Sequence, residues 1–98
     1  MVRVTMPLHL RRLAKVDGEV TVEVTGTVTQ RTVLEALETK YPVLKGAVRD
    51  YTTQRRRSLV RLYACGEDLS NDDPDTPLPD AVARGEQPYM IVGAIAGG

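Results

Sequence analysis

The hydrophobic period of this chain changes and then changes back, and that limits the folds open to it. Residues 2–6 read Val-Arg-Val-Thr-Met and residues 19–25 read Glu-Val-Thr-Val-Glu-Val-Thr. An apolar side chain at every second position marks a strand with one buried face, here Val2, Val4 and Met6, then Val20, Val22 and Val24. From Thr32 the period lengthens. Val33, Leu34, Ala36, Leu37 and Tyr41 fall on one helical stripe, with Glu35, Glu38 and Lys40 outside it. Thr32 and Glu35 have the spacing of a capping box, which places the helix start there. Pro42 ends the helix near Tyr41. Alternation returns at 59–65, Leu-Val-Arg-Leu-Tyr-Ala-Cys, and in the short run Tyr-Met-Ile-Val at 89–92.

The segments between these runs are turn-rich. Leu8, Leu10 and Leu13, in the connection after Pro7, are available to tuck under a sheet, and Asp17-Gly18 is a turn signal. "VLKGAV" at 43–48 adds a short helical turn at most, "YTTQRRRS" at 51–58 reads as a loop, "NDDPDTPLPD" at 71–80 is dense in turn formers, and "DAVARG" at 80–85 fits one helical turn. The order strand, strand, helix, strand, turn region, strand in 98 residues predicts an α+β domain: a mixed four- to five-stranded sheet with one main helix across one face. Val60, Leu62 and Ala64 share the helix-facing side of their strand, with Arg61, Tyr63 and Cys65 opposite. The uncovered face then carries Thr5, Thr21, Glu23, Arg61, Tyr63, Met90 and Val92.

Composition removes several function classes. Thirteen basic and thirteen acidic side chains give no net charge, so general attraction to nucleic acid or to a membrane surface is not expected. One cysteine, Cys65, and one histidine, His9, supply neither a disulfide framework nor a metal cluster, and no metal or intrinsic cofactor is expected. No phosphate loop or nucleophile–base pair is visible, which argues against an enzyme. The first residues lack the apolar core of a signal peptide and no apolar run reaches the ~20 residues of a membrane span, so the expected location is the cytoplasm.

Five stretches carry a family resemblance: the first strand ending at Pro7, "LRRL" at 10–13, "TVLEAL" at 32–37, "YACGED" at 63–68, and "AIAGG" at 94–98. With a terminal Gly-Gly after a final strand, the chain resembles, over essentially its whole length, the β-grasp or ubiquitin-like sulfur carriers. That family includes the small subunit of molybdopterin synthase, the thiamine-biosynthesis carrier and a cysteine-biosynthesis carrier. The resemblance implies one domain over 1–98 with a flexible tail at 93–98. It implies a protein substrate rather than a catalyst, and a non-catalytic subunit if the chain is of the molybdopterin-synthase type. An adenylating activating enzyme would use ATP to adenylate the Gly98 carboxylate, sulfur would displace AMP, and the thiocarboxylate would pass to a downstream sulfur-accepting synthase. Length and ending are nearer the cysteine and molybdopterin types than the shorter thiamine type. Family tails often carry proline where this chain has Gly93, which marks Gly93 as a hinge.

Side-chain chemistry is compatible with that role. A terminal carboxyl is an anion at neutral pH and attacks an electrophilic phosphorus. Gly97 and Gly98 leave a narrow tail, and Ala94, Ile95 and Ala96 form a lead for a partner to grip. Six residues extend at most ~20 Å, enough to enter a partner's active site. Ordering such a tail costs entropy, so the body must supply affinity, and Tyr63, Met90 and Val92 are the candidate contacts. Other readings stay open at this level. The chain is alternatively a ubiquitin-like modifier joined to lysines through Gly98, or an interaction module acting through its sheet face. That face is covered by a partner or by a second copy. "RRR" at 55–57 is a solvated loop or a contact for phosphate or an acidic partner.

Overall fold

Short alternating runs need a ladder to satisfy their backbone, and here four of them share one with a two-residue edge strand. A computed structural model describes residues 1–93. The strands are β1 (Val2–Thr5), β2 (Val20–Val22), β3 (Val60–Ala64), β4 (Glu67–Asp68) and β5 (Tyr89–Gly93), and the helices are α1 (Leu8–Ala14), α2 (Gln30–Lys40) and α3 (Asp80–Ala83), with a 3₁₀ turn at Pro42–Leu44. The sheet order is β2-β1-β5-β3-β4, with β1 and β5 parallel and the other neighbours antiparallel. This is the mixed sheet with one main helix that the periodicity predicts. Val2, Val4, Val20, Val22, Val60, Leu62, Ala64, Tyr89 and Ile91 are buried on the sheet's inner face together with Val33, Leu34 and Leu37 of α2.

The start of α2 differs from the sequence expectation. Thr29, not Thr32, is the N-cap. Its Oγ1 accepts the Thr32 N–H at 3.1 Å while Thr32 Oγ1 accepts the Thr29 N–H at 2.8 Å, so a second threonine takes the part expected of Glu35. Starting earlier brings Gln30 into the first turn, where it is buried. Tyr89 Oη donates to Gln30 Oε1 at 2.6 Å and Gln30 Nε2 donates to Leu69 O at 3.0 Å. Burial pushes the Tyr89 phenol pKa up, so this hydroxyl stays a donor in the core. Glu38 is also buried rather than outside the stripe, because Arg49 Nη2 and Nε donate to its two oxygens at 2.8 and 3.1 Å.

Three further expectations change. The connection after β1 contains a real helix, and of its three leucines only Leu10 is buried, while Leu8 and Leu13 are exposed. Leu8 is two residues from Leu10 and so lies on the opposite side of a helix. β2 covers 20–22 rather than 19–25, since β1 offers partners only as far as Val22, and Glu23 and Val24 fall outside the ladder. Cys65 is not a strand residue. Ala64 pairs with Glu67, and Cys65 (φ 52°) and Gly66 (φ 79°) form a two-residue turn with both φ angles positive, which leaves the thiol exposed.

Candidate functional site

β5 is the middle strand of the sheet, and its alternation decides what the open face presents. Tyr89 and Ile91 point into the core, whereas Met90 and Val92 are 39% and 37% exposed. The register sets Met90 between Thr5 of β1 and Tyr63 of β3, and Val92 beside Arg61. The structure therefore brings together the three apolar residues named from the sequence, Tyr63, Met90 and Val92, at the centre of the sheet. Thr5, Thr21 and Arg61 share that face, as expected, while Glu23 lies beyond the end of β2.

Ion pairs border this apolar strip on both sides. Toward β4, Arg61 Nη2 lies 2.6 Å from Asp68 Oδ2. Asp68 also accepts the Ser70 N–H at 2.9 Å. Bonds from Ser70, and then from Arg61, hold its carboxyl well below the usual carboxylate range. Toward β2, Arg3 Nε lies 2.7 Å from Glu19 Oε1, and Arg3 Nη1 donates to the carbonyls of Gly85 and Glu86 at 3.2 Å. An apolar centre with a charged, hydrogen-bonded rim is the usual anatomy of a protein-binding surface.

At its far end β5 runs to Gly93, which pairs with Val60. Gly93 is the last residue of the strand rather than the first of a tail. Its lack of a side chain has a local reason: a Cβ there would lie 2.9 Å from His9 Cε1 and 3.6 Å from Pro7 Cβ. The first turn of α1 thus abuts the end of β5, a contact with no signature in the sequence, since His9 sits in what reads as a connection. Ala94, Ile95, Ala96, Gly97 and Gly98 lie outside the described residues. Cys65 follows Ala64, the partner of Tyr89, and so sits at the opposite end of β5 from Gly93. Among the described residues no cluster of three or more His, Cys, Asp or Glu side chains is placed to hold a metal ion, and no helix is long and apolar enough to cross a membrane.

No protein-family model matches the sequence, and no curated protein matches it either. Its shape does have solved counterparts. SAMP1 from Haloferax volcanii superposes with a TM-score of 0.75 at 19% identity, covering 98% of this chain and 97% of that one. A chain of the Amycolatopsis orientalis BexX/CysO complex gives 0.75 at 20% identity with 100% of both chains covered. CysO of Mycobacterium tuberculosis gives 0.75 at 23% identity, covering 97% of this chain and all of that one. The fold is accordingly the ubiquitin-like β-grasp, shared over the full length of each of these proteins.

Proposed function

We propose that this protein is a sulfur carrier. A partner activating enzyme uses ATP to adenylate the carboxylate of Gly98, sulfur displaces AMP, and the resulting thiocarboxylate is delivered to a downstream synthase. In this reading the chain is a substrate and a carrier, with no catalytic group or resident cofactor of its own. The observation that carries it is the end-to-end likeness to CysO, including a chain crystallised in complex with another protein, joined to the Gly97-Gly98 ending of the sequence. Biosynthesis of cysteine or of molybdopterin is the proposed destination of the sulfur.

Each part of the chain has a task in this scheme. Tyr63, Met90 and Val92 supply contact area on a rigid sheet, so little entropy is lost there on docking. The segment Ala94–Gly98 enters the partner's active site, where glycine permits the closest approach of backbone to nucleotide. Gly93, fixed between Val60 and the His9–Pro7 wall, defines where that segment starts. ATP–pyrophosphate exchange by the activating enzyme of the same organism tests the scheme. Exchange should depend on the full chain and vanish on deletion of Gly98. Exchange that persists with the truncated chain would assign the chemistry to another residue.

A second reading is favoured by the likeness to SAMP1, the small archaeal modifier protein 1 of H. volcanii, which matches in two solved structures. If Gly98 is joined to lysines of other proteins, trypsin would leave residues 85–98 on the target, because no Lys or Arg follows Arg84. Finding that branched peptide in cell extracts would support conjugation, and its absence alongside a detected thiocarboxylate would support the carrier.

A further inference from the structure

Three consecutive arginines stand beside the point where β5 ends. Val60 is the register partner of Gly93, and Arg56 Nη1 donates to Val60 O at 2.7 Å, so the run 55–57 is fastened to that end of the sheet. Among the described residues Arg3, Arg31, Arg49, Arg61 and Arg84 each have a carboxylate partner. Arg55, Arg56 and Arg57 have none. Arg56 donates only to neutral oxygens, those of Ser70, Arg57, Val60 and Asn71, and Arg57 donates to Gly46 O at 2.6 Å. On the other flank α1, whose first turn abuts Gly93, carries Arg11 and Arg12 in its last turn, where Arg11 donates to the carbonyls of Met6 and Asp17 at 3.1 and 3.3 Å. Two carboxylates stand near the run without bonding to it: Asp50, which accepts the N–H groups of Thr52 and Thr53, each at 2.9 Å, and keeps its charge beside Arg57, and Asp72, on the cleft that Arg55 and Arg56 line. A chain with no net charge thus carries an excess of positive charge beside the end of β5, the three arginines at 55–57 against two nearby carboxylates.

We infer that this corner is an electrostatic docking surface for an acidic face of the protein that receives the terminal segment, an inference that rests on the carrier reading. Tyr51 and Leu59 flank the arginines at 68% and 56% exposure, and tyrosine beside arginine is the composition found at interface hot spots. Charge placed at the rim chiefly accelerates encounter and sets orientation. Here it would align a partner with the root of the segment before the apolar strip on the open sheet face closes. A small anion fits the site less well. The cleft of about 600 Å³ between α2 and the loops at 53–56 and 70–74 is arginine-lined, but Arg31 is tied to Asp75, Arg49 to Glu38 and Arg56 to carbonyls, which leaves Arg55 alone to bind.

The test uses the full chain labelled with ¹⁵N, titrated with a hexaglutamate peptide and separately with inorganic pyrophosphate. Amide shifts confined to 50–59 are expected with hexaglutamate. They should fade at high salt, where screening shortens to a few ångströms, and be absent in Arg55→Glu/Arg57→Glu. Arg55→Glu alone, which removes no hydrogen bond, keeps the result readable if the double variant is unstable. No shifts at the corner, or equal shifts from pyrophosphate, would overturn the inference. With the activating enzyme, the double reversal should lower kcat/KM about tenfold while kcat at saturating carrier stays the same. An unchanged kcat/KM would also overturn it. Failure of the wild-type chain to be adenylated would count against the carrier reading instead, and the peptide titration would still decide whether the corner binds acidic protein.

Discussion

A side chain at position 93 has nowhere to go unless His9 moves. Gly93 is not in the left-handed region, so close approach and not backbone freedom explains the glycine. Because His9 is exposed, its ring can swing away, and Gly93→Ala should cost less than about 1 kcal/mol, below the usual cost of overpacking a core. The His9 ring signals should shift in the NMR spectrum of that variant, and ring signals that stay in place would show that the contact does not form in solution. Asp68 offers a second check at this scale. Its carboxyl is held low by Ser70 and Arg61, so the stabilisation it gives the β3–β4 hairpin is fully present above the ordinary carboxylate pKa of about 4 and is lost only as pH falls through the depressed value. A ¹³C titration should find Asp68 charged well below pH 4, with the midpoint rising in Ser70→Ala. A midpoint at the ordinary value in the wild type would refute that arrangement.

Elements were legible in the sequence where one periodicity dominates and hidden where polar contacts decide. The alternation of Val2, Val4, Val20 and Val22, and of Val60, Leu62 and Ala64, assigned buried faces that the structure keeps. The stripe of α2 was readable for the same reason. Its start was not, because several nearby threonines offer caps and only tertiary contacts, Gln30 with Tyr89 and Leu69, choose between them. Nor was the buried Glu38–Arg49 pair, since the two residues sit in different elements and each reads as a surface residue alone. Among the site residues, Tyr63, Met90 and Val92 followed from strand alternation, whereas His9 and the anchoring of Arg56 depend on how loops close over the end of the sheet. Two stability predictions belong to this scale. Thr29→Ala should destabilise by about 1 kcal/mol through loss of the cap. Arg49→Met should cost about 3–5 kcal/mol by leaving the Glu38 carboxylate buried and unpaired, and adding Glu38→Gln should recover part of it. Denaturant midpoints of the single and double variants measure both. A double variant no more stable than Arg49→Met would remove the unpaired charge as the cause.

In the whole molecule, structure and proposed chemistry divide at Gly93. The core, the caps and the buried pair keep β5 in place, and β5 holds an apolar strip in the middle of the open face and ends beside a cluster of arginines. Lys40 Nζ donates to Thr21 O at 2.7 Å on the edge strand β2, which blunts that edge against pairing with other chains. Met90→Lys and Val92→Glu, on the exposed side of β5, should fold with stability close to wild type, within about 0.5 kcal/mol as for surface changes, and under the carrier proposal should lose turnover with the activating enzyme. Normal turnover in both would move the docking site away from this face.

The central claim is that the carboxylate of Gly98 becomes a thiocarboxylate. Intact-mass spectrometry of the chain after incubation with ATP, a sulfide source and the activating enzyme reads it directly. The expected result is a shift equal to replacing one oxygen by sulfur, located by fragmentation on Gly98 and absent from the chain lacking Gly98. An unchanged mass, with an enzyme that converts another carrier under the same conditions, would contradict the claim.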